Sequence, residues 1–193
     1  MSTRSGRENN ASTALVILDM INLFDFEGGM QLGRAATSIT PHILRLRQRF
    51  DQAGAPTIYV NDNFAHWQGQ FSDLVEACRQ AGGSAAAVAT RLAPRDNDYH
   101  VLKPKHSGFL ATPLMILLAK LGVRRLVLAG VAADSCVLAT ALDANMREFE
   151  LWVPRDCVAA ITPQRKQHAL SVIDKAVTAR TLATTSVTGL FPA

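Results

Sequence analysis

Residues 14–19 read Ala-Leu-Val-Ile-Leu-Asp, five apolar side chains in a row closed by a carboxylate. A strand with one solvated face alternates apolar and polar residues. A run this short and apolar throughout suits a strand buried on both faces, as in parallel sheets. Working outward, Thr57-Ile-Tyr-Val60, Tyr99 to Leu102, Arg125-Leu-Val-Leu-Ala129 and Glu150-Leu-Trp-Val153 repeat that character, and Arg180 to Thr184 is expected as a sixth strand. Helix-periodic segments lie between them. Ile39, Ile43, Leu46 and Phe50 recur at helical spacing within 34–53, ahead of Gly54 and Pro56. A second helix runs through Leu74 to Gln80, where Gly82-Gly83 breaks it. Thr112-Pro113 and Thr162-Pro163 each place a capping hydroxyl before a proline at the first helical position. The helices they open end at Gly122 and near Val177, and another runs from about Cys136 to Arg147. Strands alternating with helices imply parallel βαβ units with right-handed crossovers. The expected fold is a three-layer α/β/α domain around a six-stranded parallel sheet.

The chain has 193 residues, 48% hydrophobic and 19% charged, which suits one domain with a sizeable core. Residues 1–12 are expected to form a flexible tail and 13–193 the domain. Twenty basic against 16 acidic residues leave a net charge of +4. Arg45, Arg47 and Arg49 sit beside Asp51 and read as a solvated helix face, and no clustered basic stripe points to nucleic acid. Cys78, Cys136 and Cys157 are too scattered for a disulfide framework or a zinc site, and their odd number favours a reducing compartment. The polar opening residues predict no signal peptide, and no apolar run reaches the ~18 residues of a membrane span. A cytoplasmic location without a membrane partner is expected.

In sheets of this kind a ligand sits beyond the carboxyl ends of the strands, where the winding direction reverses. Asp19 follows the first strand, Lys103 the third, and Cys136 opens the helix after the fourth. Singly, each has an ordinary reading: a turn residue, a surface charge, a small core hydrophobe. Together at one rim they suit nucleophilic catalysis. A helix start and a nearby ammonium favour a thiolate, and a carboxylate can take the thiol proton and later return it to a leaving group. If another strand separates the first from the third, Lys103 must reach back across it.

The stretches Leu15-Val-Ile-Leu-Asp19-Met, Val101-Leu-Lys103-Pro-Lys-His-Ser-Gly-Phe109 and Gly130-Val-Ala-Ala-Asp134-Ser-Cys136-Val resemble, in order and spacing, the isochorismatase-like cysteine hydrolases, which include nicotinamidases and other small-amide hydrolases. The resemblance implies a catalytic Asp19, Lys103 and Cys136, a non-proline cis peptide between Val131 and Ala132, and an oxyanion hole formed by the amides of Ala132 and Cys136. It also implies a homo-oligomer, a dimer or tetramer, for which Trp152 and the apolar Leu190-Phe191 are candidate contact residues.

The chain also departs from that pattern. Metal-dependent nicotinamidases carry an Asp-x-His pair after the second strand, whereas here Asp62 is followed by Asn63 and Phe64, with His66 further along. No metal and no cofactor are therefore expected, and Asp62 reads as a loop cap. Ile21, Gly108 and Ala133 also replace residues frequent in the family. Phe24, Trp67 and Phe109 are candidates for walling an apolar substrate pocket, and His42, His100, His106 and His168 read as surface or packing residues. The expected activity is metal-independent hydrolysis of a small carboxamide or related C–N bond through a thioester on Cys136, with Asp19 also activating the hydrolytic water. Vinyl-ether hydrolysis of the isochorismatase type and a non-catalytic binding role are the alternatives.

Overall fold

The computed structural model describes residues 12–63 and 68–192. The elements in chain order are β1 (Thr13–Leu18), α1 (Gly29–Ala53), β2 (Thr57–Asp62), α2 (Phe71–Gln80), α3 (Gly83–Leu92), β3 (Tyr99–Lys103), α4 (Leu114–Lys120), β4 (Arg125–Val131), α5 (Leu138–Asn145), β5 (Glu150–Trp152), β6 (Val158–Ala159) and α6 (Pro163–Lys175). A π-helical turn, Ala133–Val137, leads directly into α5. The sheet is six-stranded and parallel, ordered β3-β2-β1-β4-β5, with β6 beside the end of β4.

Strand alternation divides the core in two. Leu15, Ile17, Val127 and Ala129 point into a layer with Ile43, Leu46 and Phe50 of α1, Cys78 of α2 and Val88 and Leu92 of α3. Ala14, Val16, Leu18, Leu126 and Leu128 point the other way, onto Leu118 of α4, Ala141 of α5 and Ile173 of α6. All six residues of β1 are buried, as its unbroken apolar run requires. The strand order reverses between β1 and β4, so the crevice at their carboxyl ends is where this architecture admits a ligand. Among the described residues, no helix is long and apolar enough to cross a membrane.

Several expectations need correction. The sixth strand is Val158–Ala159, paired to Gly130 and Val131, and not 180–184. Arg180 alone of these residues pairs with the sheet through its backbone, in a single bridge to Trp152. Asp156 explains why the Thr-rich stretch does not continue as a strand. Its carboxylate accepts from the Thr184 amide (2.9 Å) and hydroxyl, drawing Thr184–Ser186 into a 3-10 turn.

The helix α3 lies beyond the Gly82-Gly83 break, and its Ala85, Val88, Ala89 and Leu92 form a buried stripe at helical spacing. Arg47 is no solvated residue: it is 1% exposed and paired with Asp98. Trp152 is fully buried, its indole N–H donating to the Leu182 carbonyl (2.8 Å). Leu190 is buried and Phe191 packs edge-on against Trp152, so the Trp152 and Leu190 side chains lie in the chain's own core. Ser12, the last residue of the expected tail, is held to β4, its carbonyl accepting from the Arg124 (2.8 Å) and Arg125 (2.9 Å) amides; the rest of the tail lies outside the described residues.

Candidate active site

Parallel pairing carries Asp19, Lys103 and Cys136 to one rim. The register sets Leu18 beside Val60 and Asp62 beside Lys103, so β2 does separate β1 from β3. Lys103 reaches back across it. Its Nζ lies 2.9 Å from Asp19 Oδ2, 3.4 Å from Asp62 Oδ2 and 3.5 Å from Cys136 Sγ. The ammonium donates to Asp62 and Cys136 and is ion-paired with Asp19. It is fully buried, Asp19 is 4% exposed and Cys136 9%. A buried ammonium is tolerated only when paired, and here two carboxylates surround it.

Local backbone aims these groups. Asp19 leaves β1 with φ +50°, an uncommon conformation for a side-chain-bearing residue, and the Asp62 amide donates to its Oδ1 (2.7 Å). Beside it, Gly130 has φ +115°, and a Cβ there would lie 2.1 Å from the Leu18 carbonyl oxygen. Only glycine lets β4 pass so close to β1. The Val131–Ala132 peptide is cis, as the resemblance implies. The Ala132 carbonyl accepts from the Ser135 and Val137 amides (both 3.1 Å), setting the π-turn that carries Cys136. The nucleophile candidate thus sits one turn inside the helical segment and does not open it.

Burial raises the Asp19 carboxyl above its ordinary range, opposed by Lys103, Cys136 and the Asp62 amide. Burial alone would lower Lys103, but Asp19, Cys136 and Asp62 together outweigh it and keep the ammonium charged. The Cys136 thiol is pushed up to about 12, by burial first and the Asp19 charge second, against Lys103 and Ser135. This reverses the expectation of a favoured thiolate. A thiol pushed toward its neutral form beside a carboxyl of strengthened proton affinity is an arrangement for moving a proton on demand.

Two neighbours escaped the sequence reading. Asp62 is a second partner for Lys103 instead of a simple loop cap, and 34% of its side chain is exposed. His106 stands at the thiol, Nδ1 being 3.8 Å from Cys136 Sγ and 3.0 Å from Ser135 Oγ. Of the candidate pocket aromatics, Phe24 is buried in the α1 layer and Phe109 in the opposite one, 6.0 Å from Phe149. Trp67 lies outside the described residues, as do Phe64 and His66. A cavity of about 290 Å³ opens beside Asp62, lined by Leu23, Phe71, Leu74 and Leu102. Among the described residues, no three His, Cys, Asp or Glu side chains converge as metal ligands.

A model of the isochorismatase domain matches residues 13–186. The uncharacterized isochorismatase family protein YaaI of Bacillus subtilis is 39% identical over 166 residues, 86% of this chain and 91% of that one. An Arabidopsis thaliana protein named "Probable inactive nicotinamidase" is 28% identical over 84% of this chain and 87% of its own length. The crystal structure of N-carbamoylsarcosine amidase from Thermoplasma acidophilum superimposes with a TM-score of 0.68 at 27% identity, covering 92% of this chain and 99% of that one.

Proposed function

The chain belongs to the isochorismatase family of hydrolases, and from that premise we propose that it is a metal-independent cysteine hydrolase of a small carboxamide or related C–N bond. One observation carries this reading: Lys103 Nζ bridges the Asp19 carboxylate and the Cys136 sulfur at 2.9 and 3.5 Å inside a nearly closed site. As substrate settles, Asp19 takes the thiol proton and the sulfur attacks the amide carbon. Lys103 compensates the charge passing between the two. The developing oxyanion is received by the amides of Ala132 and Cys136. Asp19 then hands its proton to the departing amine, leaving an acyl-thioester that water cleaves to the acid.

No step requires a metal. The Asp62 carboxylate is engaged by Lys103, and Phe64 stands where a histidine ligand would be needed. The cavity beside Asp62 suits a small substrate with an apolar substituent. The protein is further proposed to act as a homo-oligomer, a dimer or tetramer, for which light scattering at micromolar concentration should find a particle larger than 20.9 kDa.

A panel of small amides, assayed in parallel with isochorismate for ammonia and pyruvate release, tests the reading. Ammonia from at least one amide is expected; pyruvate without ammonia would contradict it in favour of vinyl-ether hydrolysis.

A further inference from the structure

The thiol has a proton acceptor on each side. On the buried side stands Asp19, 4% exposed and tied to Lys103 at 2.9 Å and to the Asp62 amide at 2.7 Å. On the solvent side stands His106, an exposed residue whose Nδ1 is 3.8 Å from Cys136 Sγ. Ser135 Oγ lies 3.0 Å from the same nitrogen and 3.8 Å from the sulfur, so hydroxyl, imidazole and thiol form a compact triangle. The loop behind His106 is anchored: the Ser107 hydroxyl donates to Asp143, and the Gly108 amide donates to Thr140 Oγ1 at 2.9 Å. The backbone beside His106 is thereby fixed at the mouth of the site, and Ser135 Oγ is the hydrogen-bond partner of the imidazole.

We propose that His106 is a second catalytic base, used to hydrolyse the acyl-thioester. The proposal rests on the cysteine-hydrolase reading above and replaces Asp19 in the second half of that reaction. Once the amine has left, the acyl group sits on Cys136 Sγ and Asp19, again a carboxylate, is closed off beneath it. Water comes from the open side, where the imidazole is. Its oxygen bonds to the acyl carbon while the imidazole takes one of its protons. The carbon–sulfur bond then breaks, and the imidazolium returns that proton to the departing sulfur, which lies within hydrogen-bonding reach for a sulfur partner. The other water hydrogen leaves with the carboxylic acid, and the free thiol is restored. In the tautomer protonated at Nε2, Nδ1 turns its one lone pair toward Ser135 and the sulfur, and it accepts the water proton when the Ser135 hydroxyl rotates away from it. Each half-reaction thus has its own base, one shielded from water and one facing it.

The test uses p-nitrophenyl acetate, which acylates cysteine nucleophiles without reference to the natural substrate. Wild type and His106→Gln are compared by nitrophenolate release and intact-mass measurement, with peptide mapping of the acetyl group. Glutamine can still hydrogen-bond Ser135 but cannot serve as a base, and melting curves check that the fold is kept. Both proteins should release a burst of about one nitrophenolate per chain. Steady-state turnover of H106Q should fall at least about a hundredfold, the lower end of what general base catalysis contributes. Acetyl-Cys136 should accumulate in H106Q, and added imidazole should restore part of the rate. A merely structural role for His106 would show neither the accumulation nor the rescue. Turnover within about twofold of wild type, with no accumulated acetyl group, would overturn the proposal. Absence of acetylation at Cys136 in wild type would instead overturn the nucleophile assignment, and this proposal with it.

Discussion

At the amino end of the sheet Arg47 is 1% exposed; at the carboxyl end Lys103 is fully buried. Both are cations paired with carboxylates inside the protein, yet they are built differently. Arg47 donates to Asp98 and to the Ala93 carbonyl (3.0 Å), with its guanidinium 5.5 Å from the Tyr59 ring centre. Its partners are a carboxylate, a backbone group and an aromatic face, none of which leads to a nucleophile. Lys103 lies within reach of two carboxylates and a thiol. A guanidinium is a fixed planar fork that stays protonated, suited to joining α1 to the start of β3. An ammonium is a compact charge that can follow a proton moving between Asp19 and Cys136. Burial of charge alone therefore marks neither end as functional. What the cation touches does.

Removing the two cations should break different things. Lys103→Met, which keeps the length of the side chain, should lower amide hydrolysis by ~10²–10⁴-fold per folded molecule, the usual worth of general acid–base catalysis, and leaving Asp19 buried without its partner also costs stability. Arg47→Met should cost stability alone. Leaving Asp98 buried without its partner costs about 3–5 kcal/mol of stability, read by urea denaturation, while activity per folded molecule stays near wild type. Equal activity losses in the two variants, after correction for folded fraction, would erase the distinction.

The three thiols sharpen it. Cys78 and Cys157 are wholly buried and Cys136 is 9% exposed, so iodoacetamide should label Cys136 first. Because that thiol is raised to about 12, its thiolate fraction grows with pH all the way to that value. The alkylation rate constant should accordingly climb about tenfold per pH unit between 7 and 10 without levelling. A plateau near pH 8 would mean a thiolate already activated in the free protein. The smallest effect is expected at Asp62, whose 34% exposure screens its pairing with Lys103. Asp62→Asn should cost only ~1 kcal/mol, about a fivefold fall in rate.

The fold was legible because β1 and its counterparts are apolar enough to betray burial on both faces. The α3 helix was also legible in principle, since Ala85, Val88, Ala89 and Leu92 fall on one stripe, but the Gly82-Gly83 pair ahead of it reads as an ending. A two-residue strand such as Val158–Ala159 carries too little pattern to be seen, whereas a Thr-rich stretch invites assignment that the Asp156 carboxylate overrules. In the site, Asp19 follows β1 and Lys103 ends β3, which periodicity locates, and Cys136 lies in the turn that follows β4. Asp62 was missed because its partner lies across a strand register, and His106 because its contact with Ser135 depends on how two loops meet. The state of Cys136 was misread for a related reason: sequence shows the helix and the lysine but not the depth of burial or the carboxylate beside the sulfur.

The central claim is that Cys136 is the nucleophile of an amide hydrolase, and Cys136→Ser tests it most directly. The hydroxyl is close in size to the thiol and meets the same base, but it is a far weaker nucleophile. On whichever amide the wild-type protein hydrolyses, ammonia release by C136S should vanish while its melting temperature stays near wild type. Release at a rate comparable to wild type would contradict the assignment.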